Sequence, residues 1–341
     1  MASAAWARTT VAVSMAMLCA AGINAQPAPP AAAGQAAVVD LAPVVVSGVQ
    51  PGPGMWKVTA RDGHVLWILG TVSPLPAKLD WRADEVEAVV ASADEVLGPP
   101  GWTLDADVGF FKGLTLLPSA MKAAHDPQGR RLEEILPAAT YTRWLALKQR
   151  YLGRDRGVEK DRPLVAATRL YTEALKSVGL GRGSPVSAVL DKAYKARGLK
   201  PVVTRVVIRV DDPRQALKEA RASPLQDVQC LERTLDVVEH QLPLLVERAN
   251  AWSMGDTEAL QRLALQSQYD ACVGAIAESP FGRRRGLAAV DRQVADKWQQ
   301  VARAALARNR TTFAVVPVHS LVAPEGYLAR LQQAGYEVQA P

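Results

Sequence analysis

β-branched and aromatic residues crowd two stretches near the start of the globular part of the chain, Met55–Thr59 (MWKVT) and His64–Leu69 (HVLWIL). Such runs predict strands, and the Asp62-Gly63 pair between them predicts a hairpin. Gly70-Thr71-Val72-Ser73 ends the second strand. The period then changes. Ala83, Val86, Val89, Val90 and Ala93 share one helical face, with Asp80 as the expected cap. Glu95–Leu97 reads as a short strand stopped by Gly98-Pro99-Pro100-Gly101.

From Ala106 to Arg197 the pattern is helical, with turns at 126–129, 152–157 and 179–185. Pro201–Val210 (PVVTRVVIRV) is β-branched and predicts a strand. Helical spacing resumes from about Pro213 to Arg308, with breaks at Ser223-Pro224, Gly255 and Ser279–Gly282. Thr311–Val318 is an apolar strand, Pro324–Ala334 a short helix stopped by Gly335, and Tyr336–Gln339 a last strand. Strands at both ends need partners. The fold class expected is therefore α/β. A central mixed sheet is built from the N- and C-terminal segments and the Pro201 strand, with a large, mainly helical insertion over about 106–308. Trp144, Trp252 and Trp298 sit at helical spacing among apolar neighbours and are expected in the core.

The first residues do not fit this pattern. Met1–Arg8 carries one cation, Thr9–Gly22 is apolar, and Ile23-Asn24-Ala25 ends on a small residue. That is the layout of a cleaved signal peptide over 1–25, cut after Ala25; the apolar run is too short to span a bilayer. Residues 26–54, rich in Ala, Pro and Gly, read as a linker, which leaves 55–341 as a single α/β domain. The mature protein is expected to be periplasmic or secreted, with no transmembrane segment.

The chain has 341 residues, 49% of them hydrophobic and 22% charged, a globular composition that excludes disorder, collagen and coiled coil. The formal charge is +6, spread along the chain without the basic stripe that a nucleic-acid groove needs, so no nucleic-acid partner is expected. Arg283-Arg284-Arg285 is the one triple cation and a candidate anionic-partner surface. Cys19 leaves with the leader. Cys230 and Cys272 remain, an even pair in an oxidising compartment. Cys230 opens a long apolar-periodic helix through Ala249. Gly255 stops it, and Asp256 can cap a second helix running toward Cys272. Two antiparallel helices would bring the cysteines together as a disulfide.

Three segments carry a family resemblance. They are MWKVTARDGHVLWILGTVS with its following helix and ADEVL strand, CLERTLDVVEHQLPLLVERANAWSMGD, and FAVVPVHSLVAPEGYLARLQQAGYEV. In this order they resemble the TraB/GumN family, distant kin of the Tiki peptidases and the erythromycin-esterase-like fold. The resemblance implies an α/β sheet and, in active Tiki-like members, a divalent metal (manganese, cobalt or zinc). Two Gly-x-x-His motifs at strand ends and a Glu after the third strand would serve it. Strand-end turns aim side chains into a common crevice, where imidazole and carboxylate can hold a cation.

This chain departs from that pattern. The first motif reads Gly70-Thr71-Val72-Ser73, with Ser for His. The second aligns without a gap on Pro317-Val318-His319-Ser320, which puts Ser320 at the His position. With one inserted residue it aligns on Val316–His319 instead. The gap-free alignment is the simpler. The Glu position falls on Gly98 or Pro99. A hydroxyl is a poor substitute for imidazole or carboxylate on such an ion. The expectation is a degenerate site, no cofactor and a non-catalytic envelope scaffold or binding protein, with another envelope protein or peptide as partner. The alternatives are a metal-dependent hydrolase, or a hydrolase with a relocated Ser/His site. Gly70, Ser73, His319, Ser320 and Glu325 are the candidate site residues. His64, His125 and His240 show no metal-ligand spacing and are expected to be surface or hydrogen-bonded.

Overall fold

Strands β1 (Met55–Thr59) and β2 (Val65–Thr71) form the predicted antiparallel hairpin, from Met55 opposite Leu69 to Thr59 opposite Val65. In this computed structural model, which describes residues 45–105, 118–119, 121–181, 185–223, 225–263 and 268–341, Gly63 supplies the turn with φ +86°, a conformation that favours glycine. The expected leader 1–25 and most of the 26–54 linker lie outside the described residues, as does the start of the predicted helical run at 106–117.

Helix α1 (Asp84–Ser92) leads to β3 (Glu95–Leu97) and β4 (Trp102–Asp105). Then come α2 (Leu132–Ile135), α3 (Ala138–Tyr151), α4 (Pro163–Ser177), α5 (Pro185–Arg197), β5 (Val206–Arg209), α6 (Pro213–Ala222), α7 (Asp227–His240) and α8 (Leu242–Met254). The chain closes with α9 (Thr257–Arg262), α10 (Gln268–Glu278), α11 (Pro280–Arg284), α12 (Val290–Arg308), β6 (Thr311–Pro317), α13 (Val318–Leu321), α14 (Tyr327–Gln333) and β7 (Glu337–Gln339).

The central sheet is mixed, in the order β3-β6-β2-β1-β7, and draws on both ends of the chain. β6 runs parallel to β2 and β3, while β1 is antiparallel to β2 and β7. β6 is buried from Thr312 to Val316, which is why it reads as an unbroken apolar run rather than an alternation. Trp144, Trp252 and Trp298 are fully buried, as their spacing predicts. Among the described residues, no helix is long and apolar enough to cross a membrane.

Three local expectations are corrected. The Pro201 strand does not extend the central sheet by a full ladder. Val202 alone bridges to Leu97, its N–H donating to Val96 O at 2.9 Å and its carbonyl accepting from Gly98 N–H at 3.0 Å. Pro99 and Pro100 then have no N–H to donate, and pairing resumes only as a separate two-stranded parallel sheet of β4 and β5.

Helix α1 starts at Asp84 without Asp80 as its cap. The Asp80 carbonyl accepts from Gln50 N–H, and Arg82 N–H donates to Gln50 O, both at 2.9 Å, so this segment is held as a bridge to the incoming chain. The long helix predicted after Cys230 is two helices, because Pro243 stands in the first turn of α8 and restarts the ladder. The predicted stop and restart are present: Gly255 caps α8 at φ +74°, and the Asp256 carboxylate accepts from Ala259 N–H. Cys230 on α7 and Cys272 on α10 form a disulfide with Cα atoms 4.7 Å apart.

Candidate functional site

Parallel strands β2 and β6 end side by side, and their register sets Gly70 beside Val316 and Thr71 beside Pro317. Val316–His319 therefore leaves β6 in step with Gly70–Ser73 leaving β2. Ser73 and His319 then hold matching positions past the strand ends, and Ser320 lies one residue further.

The space beside Gly70 is filled by packing. A Cβ on Gly70 would lie 2.5 Å from Trp56 Cζ3 and 2.8 Å from Val318 Cγ2, distances that no side chain tolerates. Trp56 and Val318 are both buried. The Gly70 carbonyl accepts a 2.8 Å hydrogen bond from Trp252 Nε1 of α8, and the Trp252 ring meets Trp81 edge-on at 5.5 Å. Gly70 is thus a close-packing glycine. Gly70→Ala is expected to cost about 1–3 kcal/mol through overpacking, read from urea unfolding.

Ser73 is exposed, and its carbonyl accepts from Arg248 Nη2 at 2.6 Å. Arg248 is only 5% exposed. It sits on the buried stripe of α8 with Leu245 and Trp252. Sequence reasoning missed it, although a cation in phase with that apolar stripe is the signal that could have found it.

His319 and Ser320 are half-buried on α13, and Glu325 is exposed. His319 faces a groove of about 690 Å³ shared with Trp56, Leu321, Val322 and Leu328. Gly326 closes the turn after α13 so tightly that a Cβ there would lie 2.4 Å from Ser320 O. The next residue, Tyr327, packs edge-on against Trp298 at 4.6 Å, and burial pushes its phenol up to about 12. The Glu325 carbonyl, not its carboxylate, accepts from Arg330 Nε.

The divalent metal implied by the resemblance does not fit these residues. Gly98 and Pro99, at the Glu position, offer only carbonyls, and both accept from the Thr204 hydroxyl at 2.9 Å. Ser73 offers a hydroxyl, and the space beside Gly70 is taken by two side chains. Among the described residues, no group of three or more His, Cys, Asp or Glu side chains is placed to hold a metal ion. The other histidines lie elsewhere: His64 Nδ1 is 2.8 Å from Leu306 O, His125 Nδ1 3.2 Å from Asp161 Oδ1, and His240 Nδ1 3.1 Å from Asp236 O.

A family model described as TraB/PrgY/gumN matches residues 54–340 of the chain. No curated protein and no solved structure matches it.

Proposed function

The chain belongs to the TraB/PrgY/gumN family, and from that premise we propose that it works without catalysis, as an exported envelope protein that binds another envelope protein or peptide. One observation carries this reading. Where the resemblance expects a cation, Trp56 and Val318 occupy the space beside Gly70, and Trp252 binds the Gly70 carbonyl. Beside Gly70 there is no ligand side chain and no room for one, so an ion could not be held there to polarise a carbonyl. Export draws support from the leader-like residues 1–25 and from the disulfide, a bond that persists in oxidising compartments.

The experiment is a peptide-cleavage assay on the purified mature chain with added manganese or cobalt. Cleavage is expected to stay at background. Turnover that needs either ion and disappears in His319→Ala would overturn the proposal.

A second reading, a hydrolase with a relocated Ser/His site, is favoured by the register that gives Ser73 and His319 matching positions. A nucleophilic serine needs a base within hydrogen-bond reach and an acid to orient it. A fluorophosphonate probe distinguishes the two readings. No labelling is expected, and labelling lost in Ser73→Ala or Ser320→Ala would establish the second.

A further inference from the structure

We propose that a basic face built by α6 and α11 docks the protein on an anionic membrane surface. The triplet at 283–285 does not act as one unit. Arg285 turns inward: its Nη2 donates to Glu219 of α6 at 2.9 Å, and its guanidinium lies 4.9 Å from the Phe281 ring centroid. That bond ties α11 to α6. Arg283 and Arg284 remain exposed on α11.

On α6, Lys218 is exposed immediately before Glu219, and Arg221, half-buried, follows Lys218 by three residues, about one turn along. These four cations thus lie on the two helices that the Glu219–Arg285 bond joins, and that carboxylate is already engaged. Its hydrogen bond from Gln215 and then that from Arg285 hold Glu219 below the usual carboxylate range, and Arg284 adds to this through space. Among the described residues, none of Lys218, Arg221, Arg283 and Arg284 forms an ion pair. The acids at the other end of α6 are Asp211 and Asp212, and Asp212 caps the helix by accepting from Gln215 N–H at 3.0 Å.

The face is rigid. Arg162 donates to Ala220 O at 3.0 Å and to Ser223 O at 3.3 Å, which fixes the C-terminal end of α6. Uncompensated cations repel one another, and a surface of opposite charge relieves that repulsion.

Apolar exposure distinguishes a membrane from a soluble polyanion. The segment leading into α6 carries Val203 and Val207, 66% and 45% exposed. Lys297 Nζ of α12 donates to Arg205 O at 2.6 Å, which sets this segment along the helix that begins just after α11. Exposed aliphatic side chains on the segment that leads into a basic helix suit the headgroup–acyl boundary, where cations meet lipid phosphates and methyl groups leave water.

The test is sedimentation of the mature chain with phosphatidylcholine vesicles containing about one-third phosphatidylglycerol, and with vesicles of phosphatidylcholine alone. Binding is expected on the first and not the second. Each of Lys218→Gln, Arg221→Gln, Arg283→Gln and Arg284→Gln should weaken it about fivefold. Val203→Ser combined with Val207→Ser should weaken it further, and the control Lys192→Gln on α5 should leave it unchanged. Variants are compared at matched melting temperature. Failure of the wild-type chain to sediment with anionic vesicles at low salt overturns the proposal. So does an equal loss in the control. Binding to dextran sulfate with the same variant dependence but not to vesicles would transfer the face to a soluble polyanion and also overturn it.

Discussion

Trp252→Ala is expected to destabilise the protein by about 3–5 kcal/mol, the typical range for removing a fully buried large aromatic. Trp252 is 0% exposed, meets Trp81 edge-on and donates to the Gly70 carbonyl. Alanine would leave a cavity between α8 and the sheet, and a buried carbonyl without its donor. Trp252→Phe separates the two effects. It keeps most of the volume and loses the hydrogen bond, so about 1–3 kcal/mol is expected. Urea unfolding of both variants reads the difference. If Trp252→Phe proves as stable as the wild type, the bond to Gly70 does not hold the strand end.

Removing the Cys230–Cys272 bridge is expected to cost about 4 kcal/mol, the chain-entropy value for a loop of this length. The two positions are 42 apart in sequence and join α7 to α10, with Cys230 1% and Cys272 5% exposed. Reductant should lower the unfolding midpoint of the wild type and leave a Cys230→Ala/Cys272→Ala variant unmoved. Equal sensitivity of the two would mean that the thiols are not joined in solution.

The parts of the fold legible in the sequence are those decided locally. The apolar run 311–318 could only be a buried strand. Gly255 followed by Asp256 is a left-handed stop and a carboxylate cap, and both are present. The cysteine pair follows from its even number, although its geometry runs through a break at Pro243 that the apolar periodicity concealed.

Other features were decided by contacts far apart in sequence. Asp80 looked like a cap, but its carbonyl is bound by Gln50, thirty residues upstream. Pro201–Val210 looked like a sheet strand, but its would-be partner is interrupted by two prolines, and only Val202 reaches it.

The candidate site divides in the same way. That Gly70–Ser73 and the residues after β6 lie at strand ends was readable from the glycine and the apolar runs. That Gly70 abuts Trp56 and Val318 was not, because it depends on how β1, β2 and β6 stack in register. The same holds for Arg285. In the sequence it is one of three equal cations, and only the fold hands it to Glu219 and leaves its neighbours outside.

The most direct measurement is the metal content of the purified mature chain after equilibration with manganese, cobalt or zinc and removal of free ion. An ion bound only by the folded state would also raise the melting temperature with concentration. A packed crevice predicts far less than one ion per chain and a melting temperature that none of the three metals moves. One tightly held ion per chain, raising the melting temperature and lost in His319→Ala, would contradict it.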